Sequence, residues 1–135
     1  MKTFFAFAAI LFSSLVSNAQ ERWTVQLNSK VLLTAKTEDE AANVITVKDL
    51  KKGALIVTYI PGKVEGERKR RLMVYDSNDG ELYSKESFSI SVPVASLKKW
   101  KVASPQIKIY TMPVLGEAGA TVRLRRVHLC TINFE

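Results

Sequence analysis

Thr121-Val-Arg-Leu-Arg-Arg-Val-His-Leu-Cys-Thr-Ile-Asn-Phe134 is fourteen residues of β-branched, apolar and basic side chains with no Gly or Pro. Its even positions are Val122, Leu124, Arg126, His128, Cys130, Ile132 and Phe134; its odd positions are Thr121, Arg123, Arg125, Val127, Leu129, Thr131 and Asn133. The apolar residues begin on the even face, move to the odd face at Val127 and return at Cys130. A strand dressed on both faces belongs in the middle of a sheet, and a change of face calls for a bulge, expected near Arg125-Arg126. Gln106-Ile-Lys-Ile-Tyr-Thr-Met112 reads as its neighbour.

The rest of the chain reads as shorter strands separated by turn signals. In Arg22 to Asn28, Trp23, Val25 and Leu27 face one way and the polar residues the other, which marks a half-buried antiparallel strand. Asn28-Ser29 is a turn before a short strand from Lys30 to Ala35, and Lys36 to Asn43 is a polar loop. Val44 to Lys48 is a brief strand, followed by a turn closed by Gly53 in a left-handed conformation. Ala54 to Ile60 is short, apolar and β-branched, so it is a central strand stopped by Pro61-Gly62.

Arg70 to Tyr75 resumes after a charged loop, and Asp76-Ser-Asn-Asp-Gly80 is the strongest hairpin signal, with Gly80 expected at positive φ. Phe88, Ile90 and Val92 alternate with serines until Pro93. Val94 to Trp100 can form one or two helical turns with Ser96 as N-cap, placing Leu97 and Trp100 together on the core side. About eight strands and at most one short helix define an all-β chain. The expected fold is a single antiparallel two-sheet β-sandwich, with a small β-barrel as the alternative.

Residues 1–19 stand apart from this pattern. Lys2 precedes an apolar run from Phe4 to Val16, and Ser17-Asn-Ala19 places small residues where signal peptidase cuts. The run falls short of the roughly 20 residues a membrane helix needs, so a cleaved signal peptide is expected, with export to the periplasm or beyond the cell. The mature chain, 20–135, is one domain of 116 residues without a transmembrane segment. Its single cysteine rules out an internal disulfide, so packing must stabilise it. Losing Lys2 leaves 19 basic residues against 13 acidic, an excess that favours anionic surfaces or polymers.

Trp23-x-Val-x-Leu-Asn28, Ile107-Lys-Ile-Tyr-Thr111 and Val122-Arg-Leu-Arg-Arg-Val-His-Leu-Cys130 resemble segments of small uncharacterised secreted proteins from Bacteroidota, and Asn18-Ala-Gln20 is similar to cleavage sites from that group. The resemblance implies an exported compartment and a β-sandwich, and carries no activity.

Few residues offer chemistry. His128 and Cys130, at i and i+2 on one face, are the only pair suited to zinc or copper, and the only nucleophile–base candidate. A blue-copper site needs a second histidine, and a buried thiol beside a hydrogen-bonded imidazole accounts for the same residues. Asp76 to Glu81 lacks the spacing of a calcium loop, and a hairpin turn explains it. Glu65, Glu67, Asp79 and Glu81 lie in loops or turns that raise no carboxyl pKa, so paired-acid glycoside hydrolysis is unsupported. No phosphate loop or serine elbow is present, and no cofactor is implied.

Basic residues carry the remaining signal. Arg68, Lys69, Arg70 and Arg71 form a run, Lys98, Lys99 and Lys101 flank Trp100, and Arg123, Arg125 and Arg126 lie on the last strand. On one face they would make a polyanion-binding patch; otherwise they are a solvated surface with local ion pairs. The expected function is non-catalytic binding of a protein or an anionic polysaccharide, with metal binding or redox chemistry at His128 and Cys130 as the alternative. Export and the lack of a reading motif argue against nucleic acid.

Overall fold

The computed structural model describes residues 21–62, 69–114 and 125–135. Among the described residues nine strands form two sheets, in line with the about eight strands expected. They are β1 (Arg22–Leu27), β2 (Lys30–Ala35), β3 (Val44–Val47), β4 (Ala54–Ile60), β5 (Arg70–Asp76), β6 (Glu81–Glu86), β7 (Ser89–Pro93), β8 (Gln106–Pro113) and β9 (Val127–Phe134), with one helix, α1 (Val94–Ala103). One sheet runs β2-β1-β4-β7 and the other β3-β9-β8-β5-β6. Among the described residues both sheets keep free edges, so the fold is a sandwich and not a closed barrel. The signal-peptide reading of 1–19 falls outside the described residues.

Alternation sets the core. Trp23, Val25, Leu55, Val57 and Ile90 of the first sheet meet Leu72, Val74, Ile107, Ile109 and Ile132 of the second, all almost fully buried. Trp23 stacks on Tyr59 with ring centroids 6.2 Å apart. Two residues connect β1 to β2, and four connect β5 to β6. Asn28 (φ 52°) and Ser29 (φ 70°) take the left-handed pair of conformations that matches strand twist between β1 and β2. Between β5 and β6, Asp76 Oδ1 accepts from the N–H groups of Asn78 (2.9 Å) and Gly80 (2.8 Å). The left-handed residue there is Asp79 (φ 60°), not Gly80. Gly80 matters for space: a Cβ would lie 3.0 Å from Asp76 Oδ2.

Three expectations are corrected. First, the sandwich is not wholly antiparallel, because β3 pairs parallel with β9, Val44 opposite Thr131 and Val47 opposite Phe134. The loop after β2 crosses from the edge of one sheet to the edge of the other and delivers β3 in the direction of β9. Second, β9 is central as expected, but its bulge lies further along. Ile109 faces Cys130 while Tyr110 faces His128, so Leu129 is the extra residue, opposite the junction and not at Arg125-Arg126. Third, the helix begins directly after β7, with Pro93 at its N-cap position and no side-chain cap; Ser96 sits inside the first turn. The Val94 N–H donates to Gly53 O (2.9 Å) instead, and Ser104 N closes the far end on Trp100 O. Leu97 is buried and Trp100 packs on the core, as the i, i+3 spacing requires. Among the described residues, no helix is long and apolar enough to cross a membrane.

Candidate functional site: a lysine-walled cleft

The turn after β3 and the outer side of α1 flank an open cleft of about 520 Å³ lined by Lys48, Asp49, Leu50, Lys51, Lys98 and Lys101. Lys98 and Lys101 are i, i+3 on α1, so one helical face presents both. Val47, the last residue of β3, is buried in the core, and the chain leaves the sheet there and carries Lys48 and Lys51 outward. Leu50 is half-buried and packs against the core, anchoring the turn between its lysines. Four lysines and one carboxylate, Asp49, thus line the cleft, and the Glu135 carboxylate reaches its rim at Lys48. Lys48 Nζ lies 3.3 Å from Glu135 Oε2, and Lys101 Nζ donates to the main-chain oxygen of Glu135 at 2.6 Å. Lys51 and Lys98 make no ion pair with another described residue. Such an arrangement can neutralise an anion by charge; it has no fork geometry of the kind arginine offers to a single phosphate or carboxylate.

Two of the expected basic residues, Lys98 and Lys101, are thus at the cleft. Lys99 is exposed beside it. The others are elsewhere. Arg70 is 3 % exposed: its guanidinium lies 4.7 Å from the centre of the Tyr59 ring and its Nε donates to Thr111 Oγ1 at 3.2 Å. This removes Arg70 from any solvent-facing patch. Lys69 and Arg71 are exposed at the same end of β5. That end pairs with Pro113, while α1 runs into Gln106 at the other end of β8, roughly 25 Å away for an eight-residue strand. Arg68 and Arg123 lie outside the described residues. Arg125 pairs with Glu38 (2.5 Å) and Arg126 with Asp79 (3.0 Å). Arg126 also covers the Tyr75 and Tyr110 rings at 4.7 and 4.4 Å. The described basic groups do not form one patch.

Sequence reasoning missed Lys48 and Lys51. The available signal was the Lys98/Lys101 spacing; their partners come from a turn some fifty residues earlier, and only the fold joins them.

His128 and Cys130 are separated by the bulge. With Leu129 inserted, Leu129 and Cys130 both join the core, while His128 stands on the opposite face of the sheet against Tyr110, ring centroids 5.6 Å apart. The expected same-face pair is therefore not formed. Cys130 is fully buried, and burial pushes its thiol up to about 12, which suppresses the thiolate. His128 is fully buried as well; Nε2 lies 2.7 Å from Thr131 Oγ1, and Nδ1 has no hydrogen-bond partner among the described residues. Burial lowers its pKa, opposed by Glu40 and Glu38 and assisted by Lys108. Among the described residues, no group of three or more His, Cys, Asp or Glu side chains is placed to hold a metal ion. In the Asp76–Glu81 turn the Asp76 carboxylate accepts from backbone N–H groups, as a hairpin turn explains, and Asp79 pairs with Arg126.

No family model matches the chain, and neither a curated protein nor a solved structure resembles it significantly.

Proposed function

We propose that the protein is an exported, non-catalytic β-sandwich that binds an anionic polysaccharide at the lysine cleft. The observation that carries this is the convergence of Lys48, Lys51, Lys98 and Lys101 from two segments distant in sequence. Flexible, exposed ammonium groups suit a ligand that repeats its charge along a chain, because each contact tolerates small changes of spacing. A single small anion would gain little from contacts so open to solvent. The lining offers charge complementarity and one apolar side chain, with no nucleophile–base pair among its residues, which supports binding over catalysis. Export rests on the leader-like sequence of residues 1–19.

The test uses the chain from Gln20 onward on heparin and polygalacturonate columns. Retention is expected, and the double variant Lys51→Gln/Lys98→Gln should elute at distinctly lower salt, whereas Arg71→Gln should not. Unchanged elution of the lysine variant, or retention only by an acidic protein, overturns the reading. Export is checked separately: intact mass of protein recovered outside the cytoplasm should correspond to a chain starting at Gln20, and a mass retaining residues 1–19 would refute it.

A further inference from the structure

Glu135 is held at the rim of the cleft by three contacts. Its N–H donates to Val47 O at 2.9 Å, continuing the β3–β9 ladder by one bond. Its main-chain oxygen accepts from Lys101, and its carboxylate faces Lys48. The first two contacts fix the backbone, so the side chain is aimed at Lys48 by the sheet itself. Two of the four lysines are thereby engaged from within the molecule, Lys101 by a main-chain oxygen and Lys48 by a side-chain carboxylate.

We propose that Glu135 is a built-in competitor of the cleft: its carboxylate is the resident anion at Lys48, and an incoming ligand anion replaces it there. The inference rests on the polysaccharide reading above and adds how that site is tuned. Both partners are well exposed, Lys48 at 73 % and the Glu135 side chain at 54 %, so the pair is weak and exchanges readily. Lys51 and Lys98 receive the ligand first; Lys48 is added only when Glu135 swings away. The contact between Lys101 and the main-chain oxygen does not need to break.

Glu135→Gln removes the charge and keeps both backbone contacts. Its affinity for a size-defined heparin oligosaccharide, measured by calorimetry, should rise about two- to five-fold, the range expected for losing an exposed competing pair. In a Lys48→Gln background the same change should have no effect, because the competition is for Lys48. An unchanged affinity for Glu135→Gln overturns the inference. So does an equal gain in the Lys48→Gln background, which would mean a diffuse charge effect. In either case, a loss of binding in Lys51→Gln/Lys98→Gln leaves the cleft reading standing, whereas absence of binding by both native protein and Glu135→Gln removes both.

Discussion

The indole N–H of Trp23 donates to the main-chain oxygen of Leu129 at 2.9 Å, a buried bond that joins β1 of one sheet to β9 of the other. Leu129 is the extra residue of the bulge, so its carbonyl is released from the ladder and turned toward the opposite sheet. The bulge and the tryptophan thus satisfy each other.

Trp23→Phe keeps an aromatic ring and removes the donor, leaving a buried carbonyl without its partner. The expected cost is about 1–3 kcal/mol, against roughly 5–15 kcal/mol for a domain of this size. Urea unfolding should show a lower midpoint with an unchanged slope; an unshifted midpoint would mean that the carbonyl finds another donor.

Neighbouring arginines should behave oppositely. Arg70→Met gives up the hydrogen bond to Thr111 and the contact over Tyr59, both buried, and should destabilise by about 1–3 kcal/mol. Arg71→Ser, at an exposed position, should stay within about 0.5 kcal/mol. Equal thermal shifts for the two variants would contradict the burial of Arg70.

Cys130 should react slowly with a thiol reagent in the native protein and rapidly after denaturation. Its folded pKa is pushed up to about 12 from an ordinary 9.0. The unfolded chain therefore loses its proton first, and stability contributed by the protonated thiol is lost as pH rises from 9 toward 12, by about 1.4 kcal/mol per unit at most. Cys130→Val should fold and lose less stability over that window than the native protein. Fast native labelling would place the thiol at the surface.

His128 works in the acid direction. Its folded pKa is lowered below 6.5, chiefly by burial, so the unfolded chain takes up the proton first and stability falls as pH drops below about 6.5. Glu38, Glu40 and Lys108 are the charged groups that modulate it. His128→Leu should flatten the stability profile between pH 5 and 7; an unchanged slope would assign the acid sensitivity to other groups.

Much of this architecture was legible. Trp23, Val25 and Leu27 alternate because β1 has one buried face, and Asp76 to Gly80 turns because Asp76 can hold two N–H groups. The last strand was recognisable as central from apolar residues on both faces. Its bulge was also written there: the face changes twice, at Val127 and at Cys130, and the second change is the one that the ladder shows. The direction of β3 was not legible, since Val44 to Val47 alternates identically whichever way it runs. Nor was Arg70, whose place in a run of four basic residues suggests solvent until Tyr59 is brought over from the other sheet. Lys48 and Lys51 belong to the same class, as residues whose meaning depends on a helix that the chain forms much later.

The parallel pairing of β3 has a consequence for the order of assembly. Among the described residues its only ladder is with β9, and Val44 must wait for Thr131, so β3 is made long before that partner. The same late strand supplies the partner of Trp23 and one side of β8. Closure therefore depends on contacts spanning most of the chain, the kind that forms slowly because the intervening loop must be ordered first. Until β9 arrives, the second sheet lacks the strand that joins β3 to β8.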